Sequence, residues 1–163
     1  MKEKDKSSSR VIISMLLCAI MLTRCVQSGE TFQSNGSVFP KSQKATSQHF
    51  TGTAWVHGLV DNDSVFTTAT GSVVFEPSAR SNWHSHPAGQ ILIVTDGVGY
   101  HQIKGQPLET IRKGDVVKCP PNTVHWHGAS ADSSMTHIYI VPNTEKGIVE
   151  WMEPVTDEEY NAN

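Results

Sequence analysis

Apolar and polar positions alternate along this chain in short runs, and turn residues separate the runs. From His49 onward the runs are TGTAWVHGLV from Thr51, GSVVFE from Gly71, QILIVTD from Gln90 and GVGYHQI from Gly97. They continue with PLETIR from Pro107, DVVKCP from Asp115, VHWH from Val124, MTHIYIV from Met135 and IVEWME from Ile148. Gly, Pro, Asn or Asp stands in nearly every gap, and no segment before the last dozen residues keeps a helical period. Short strands at this spacing predict an all-β fold, an antiparallel sandwich or barrel. The 20 residues from Gly29 to Gln48 are rich in Ser, Gln, Lys and Gly and read as a linker or extended arm. The acidic tail DEEYNAN from Asp157 reads as frayed.

The start of the chain breaks this pattern. A basic leader, MKEKDKSSSR, precedes 13 uncharged residues that end at Arg24. Thirteen is too few to span a bilayer and suits the core of a secretory signal. Val26-Gln27-Ser28 before Gly29 is small enough for a signal peptidase, so residues 1–28 are expected to be a signal peptide and the protein to be secreted or periplasmic. Lipidation at Cys25 and an uncleaved anchor are the alternatives, and only these would bring a membrane into play. Charge changes with the cut. The whole chain carries −3, but the first 28 residues hold five Lys/Arg and two acids, so the remainder has 8 basic and 14 acidic residues, or −6. An acidic mature chain argues against a nucleic-acid partner, which needs a basic face. Cys119 stands alone in the body, which leaves no disulfide framework and fits a buried structural thiol.

The chemistry concentrates in the histidines. All eight fall between positions 49 and 137. Residues i and i+2 of a strand share a face, so His84 and His86 point the same way, as do His125 and His127. Pro87-Ala88-Gly89 breaks the first strand, and a hairpin-like return brings Gln90 back toward the pair. With a third histidine from the later strand, H-x-H-x3-Q offers three imidazoles and one amide oxygen. That set suits a borderline divalent cation such as Mn, Fe, Co, Ni or Zn.

GSVVFEPSARSNWHSHPAGQILIVTDG (71–97) and GDVVKCPPNTVH (114–125) resemble the two motifs of the cupin superfamily. The resemblance covers residues 50–142 and implies a double-stranded β-helix, a jelly-roll barrel, with a metal inside its mouth. It implies a single cupin domain over 49–155, after the signal peptide (1–28) and arm (29–48) and before a C-terminal tail (156–163). Cupins usually carry Glu at 90, Gly at 122 and Asn at 129, where this chain has Gln90, Asn122 and Ala129. FPKSQKATSQHFTGTAWV, NWHSHPAGQILIVT and HWHGASADSSMTHI are similar to one bacterial subgroup. It includes cupin domains found with carboxymuconolactone decarboxylase domains and the manganese-dependent cupin hydroxynitrile lyases. The lyases imply ligands at His84, His86, Gln90 and His125, with further histidines at His127 and His137. Ser134 and Val141 depart from the polar pocket residues of those lyases.

Glutamine changes the chemistry. Three histidines and a carboxylate leave a divalent ion near +1, whereas an amide leaves it at +2. Such a centre favours ligands that become anionic, which tilts expectation from oxygen chemistry toward carbon–carbon lyase chemistry on a small hydroxy or carbonyl compound. His127 is the expected general base, or else a residue that orients the site. His137 is either a pocket histidine or a barrel-lining one. Trp83 and Trp126 are expected to face away from the site and pack; Val73, Phe75 and Ile91 are expected to form pocket walls. Tyr100 and His101 have no partner legible in the sequence. The alternatives are a quercetinase-like dioxygenase and a non-catalytic module that binds a small ligand. A homodimer paired through residues 37–56 is expected.

Overall fold

Strand length here follows the alternation and its interruptions. A computed structural model describes residues 38–162, so the expected signal peptide, Cys18 and Cys25 lie outside the described residues. The strands are β1 (Gln43–Lys44), β2 (Phe50–Thr51), β3 (Ala54–Val60), β4 (Thr68–Phe75), β5 (Arg80–Ser81) and β6 (His84–Ser85). They continue with β7 (Gln90–Ile103), β8 (Glu109–Arg112), β9 (Val116–Cys119), β10 (His125–Ala129), β11 (Met135–Pro142) and β12 (Glu150–Trp151), and a short helix α1 (Asp157–Tyr160) ends the described chain. The sheet runs β1-β3-β4-β11-β7-β10-β5-β2, and β6, β8, β9 and β12 attach to its sides. Every pairing is antiparallel. The result is the expected all-β fold, one curled sheet in a single jelly-roll domain.

The sequence reading divides 90–103 into two strands at Gly97, and the structure corrects this to one strand of 14 residues. Its first half pairs with β9 and β11, its second with β8 and β10. Between Thr136 and His137 the β7–β11 register slips by a residue, a bulge that bends the strand from one half of the barrel to the other. Gly97 allows the bend. Its φ is +75°, and a Cβ there would meet the Ser134 carbonyl oxygen at 1.9 Å.

The interior is filled from alternate positions. Val73 and Phe75 of β4, Val94 of β7, Met135 of β11, Ala54, Ala79, Ile111 and Ala129 form one buried cluster. Each large apolar side chain buried there stabilises the fold by roughly 1.5–3 kcal/mol. Leu92 and Val94 are buried and alternate with half-buried Ile91 and Ile93. Because Gln90 faces the interior, Ile91 faces out, so it is not the pocket wall the sequence suggests.

A second cluster holds Trp83, Trp126, Val155 and Tyr160. It confirms the packing role expected of the two tryptophans and overturns the frayed tail. Thr156 and Glu159 cap α1 reciprocally. The Tyr160 hydroxyl donates to Ala129 O at 2.8 Å, and the buried Arg80 guanidinium lies 4.7 Å from its ring centroid. The end of the polar arm is also engaged: β1 pairs with β3, and the Phe39 ring stacks on His57.

Gly97→Ala is expected to lower the melting temperature by several degrees, because a side chain must displace backbone and hold a left-handed φ. Thermal unfolding followed by circular dichroism checks this; an unchanged midpoint would show that the bend tolerates a Cβ.

Candidate metal centre and cavity

Strand register brings the predicted ligands together. His84 of β6 lies directly opposite His125 of β10, and their ring centroids are 4.3 Å apart. His127 follows two residues later on the same face. The ring nitrogens of His84, His125 and His127 lie within 4.8 Å of one another, a grouping with the dimensions of a metal site. His127, expected as the base, thus shares the triangle with two expected ligands. Gln90 opens β7 opposite Cys119, and its Oε1 lies 3.2 Å from His125 Nε2. His86 closes the set at the turn, its ring 5.2 Å from His84 and 5.6 Å from His125. Two backbone N–H groups, of Gly89 and Asn122, donate to His86 O and pin it. Both residues have positive φ, +83° at Gly89 and +57° at Asn122, the left-handed conformation that Asn tolerates.

The donor set fits a divalent metal. His84 Nδ1 lies 2.9 Å from Asn82 O, His86 Nδ1 2.5 Å from Ile148 O, and His125 Nδ1 2.9 Å from Thr123 O. A carbonyl only accepts, so each Nδ1 carries the proton and each Nε2 is left with a bare lone pair. Three neutral imidazoles are thereby fixed in the ligating tautomer by their backbone partners. His86 Nε2 is buried with no hydrogen-bond partner. His125 Nε2 and Gln90 Oε1 face each other with two lone pairs and no proton between them. Buried acceptors left in this state cost about 1–3 kcal/mol each, a cost that a shared cation removes.

Beside this set lies a cavity of about 370 Å³, lined by His84, His86, Gln90, His127 and His137 at one part. Val56, Val73, Val141, Ile148 and Trp151 supply apolar wall. Val73 takes the expected place; Phe75 instead sits behind the histidines, 5.7 Å from His127 and 5.8 Å from His137. His137 is fully buried, its ring 4.7 Å from His127 and edge-on to it. Neither ring nitrogen of His137, nor Nδ1 of His127, has a partner. Sequence reasoning missed Trp151, which packs 4.9 Å from His84 and stacks on His49 at 4.5 Å, and it missed Tyr139. The second was within reach, since Tyr139 is two residues from His137 on one strand. His101, unassigned from sequence, lies inside the barrel between Cys119 Sγ and Glu109, 3.5 Å from each, with its ring 5.6 Å from His125. Burial pushes the Cys119 thiol up to about 12, which keeps it protonated and structural.

Burial also decides the charge of the imidazoles. It drives His84 and His127 well below the ordinary histidine value, and neighbouring histidines add to the effect. His125 and His137 are brought down to about 4, again chiefly by burial. Lowered values also hold for His86 and His101. At neutral pH the site is a set of uncharged bases inside an apolar barrel.

A small antiparallel barrel with a histidine-lined mouth is the architecture of a cupin. The chain belongs to that family, and the model for the Cupin domain matches residues 71–141. It is 45% identical over 119 residues to the (R)-mandelonitrile lyase of Granulicella tundricola, covering 73% of this chain and 91% of that protein. A cupin-like protein of Thermotoga maritima is 50% identical, with a TM-score of 0.76 over 77% of this chain and 96% of its own. The DMSP lyase DddQ of Ruegeria pomeroyi, 15% identical with a TM-score of 0.55 over 74% of this chain and 62% of its own, shares the fold alone.

The buried histidines make the metal-free protein acid-sensitive. Their folded-state values lie below the 6.5 of the unfolded chain, so the unfolded state binds more protons in that window and stability falls as pH drops from about 6.5 toward 4. The melting temperature of the apoprotein should decline steadily across this range and level off above about 7. A flat profile would contradict burial of neutral imidazoles.

Proposed function

We propose that this chain is a secreted, metal-dependent cupin lyase that cleaves small aryl cyanohydrins to an aldehyde and cyanide. The observation that carries the reading is the pair His127 and His137, two buried neutral imidazoles with free nitrogens on the wall of an apolar cavity beside the ligand set. The 45% identity to an (R)-mandelonitrile lyase supports it. The basic leader and short apolar segment support export.

His84, His86, Gln90 and His125 would hold the ion, and manganese is the ion we assign. A divalent ion in this uncharged donor set would supply a Lewis acid of full +2 charge, which stabilises negative charge on a substrate oxygen. The chain's own residues do the rest. The apolar walls hold the aryl group and exclude water. His127, kept neutral by burial, takes the hydroxyl proton at its free nitrogen. The oxygen's electron pair then closes the carbonyl as the bond to the nitrile carbon breaks, and cyanide departs with the bonding pair. An N–H of His137 can donate to the departing nitrile nitrogen. Reversal of these steps adds cyanide to an aldehyde.

The protein loaded with manganese should release benzaldehyde from (R)-mandelonitrile faster than from the S enantiomer. His127→Ala should lower kcat by about 10²–10⁴-fold with metal content unchanged. Loss of metal together with activity would make His127 a ligand rather than the base. Absence of benzaldehyde release with Mn, Fe, Co, Ni and Zn in turn would refute the lyase reading.

A further inference from the structure

The cavity is polar at both ends. Register across β3, β4 and β11 sorts its wall into layers along the barrel. Val56, Val73 and His137 form one layer; Gly58, Gly71 and Tyr139 form the next; Ala69 and Val141 lie beyond, where β3 runs out into Asp61 and Asn62. His137 thus occupies the inner layer with His127 beside it, the exposed Asp61 and Asn62 form the outer rim, and all of them line the same cavity.

The middle layer is bare of side chains on two adjoining strands. Gly58 and Gly71 are register partners, and the space a side chain would take is filled from elsewhere. A Cβ at Gly71 would lie 2.6 Å from the Tyr139 hydroxyl, so the phenol ring lies flat across that glycine. A Cβ at Gly58 would lie 3.8 Å from Asp61 Oδ1, so the carboxylate leans over the other. Hydroxyl and carboxylate thus each lie against one of two paired glycines of the same layer. Burial raises the Tyr139 phenol, and the charge of Asp61 adds to the effect. Val56, Val60, Ala69, Val73 and Val141 supply apolar wall on these three strands.

Resting on the lyase reading, we propose that Asp61 and Tyr139 form a specificity subsite that selects aryl substrates carrying a hydrogen-bond donor on the ring position far from the reacting carbon. Two residues of strand separate His137 from Tyr139, about 7 Å at the usual rise, which is about the length of a para-substituted benzyl group. An ionised carboxylate accepts a hydrogen bond from such a donor, and the Tyr139 hydroxyl can accept or donate beside it. A neutral alkyl group at that position offers the carboxylate no hydrogen bond, and an anionic one is repelled.

The test is binding of product aldehydes to the metal-loaded full chain by calorimetry, which needs no turnover. 4-(Hydroxymethyl)benzaldehyde should bind about tenfold more tightly than its isostere 4-ethylbenzaldehyde. Asp61→Ala should erase that ratio while leaving the constant for 4-ethylbenzaldehyde unchanged, and Tyr139→Phe should reduce it. 4-Formylbenzoate should bind more weakly than the isostere and recover in Asp61→Ala. Equal binding of hydroxymethyl and ethyl compounds by the parent chain would overturn the subsite whether or not mandelonitrile is cleaved. Failure of all three aldehydes to bind would overturn it together with the proposed function.

Discussion

The site depends on three backbone carbonyls that hold three imidazoles by Nδ1. Asn82 O, Ile148 O and Thr123 O each demand a proton from a ring nitrogen, and each thereby strips the opposite nitrogen and aims it into the barrel. Much of the local backbone serves this arrangement. β6 lies opposite β10 to bring His84 onto His125, and the left-handed residues Gly89 and Asn122 tie down the carbonyl of His86. Burial does the complementary work by keeping the imidazoles uncharged.

The same enclosure supplies neutral bases and would place a divalent electrophile beside them. A donor set without a carboxylate would leave the full charge of a bound divalent ion in an apolar barrel, next to neutral histidines that can accept a proton. Phe75 behind His127 and His137, and Trp151 against His84, keep these rings in place without adding hydrogen bonds that would occupy their nitrogens. The cavity then extends away from the histidines through apolar wall to Tyr139 and Asp61. Fold membership alone leaves the reaction open, since one barrel hosts many chemistries; the uncharged donors and free imidazoles narrow it.

Much of this was legible from residue spacing. Turn residues between apolar runs marked most strands, and the i, i+2 pairs placed His84 with His86 and His125 with His127 on common faces. The strand at 90–103 reads as two because a glycine beside a bulge looks in sequence like one that makes a turn. Ile91 was misplaced for want of knowing that Gln90 faces inward; once that is fixed, alternation settles the rest. Acidic composition makes the tail look frayed, but Tyr160 finds an apolar cluster and a carbonyl that only the folded barrel creates. Asp61, Trp151 and the His101–Cys119 contact were illegible, because each depends on cross-strand register between distant segments.

The account rests on the carbonyl-held histidines and Gln90 acting as one cation site. Elemental analysis of the chain purified after metal-replete expression, beside His86→Ala, tests this most directly. The account predicts close to one divalent ion per chain in the parent and a marked loss in the variant. Less than about 0.2 ion per chain in the parent would contradict it, since a site with this many prepared donors should be nearly full.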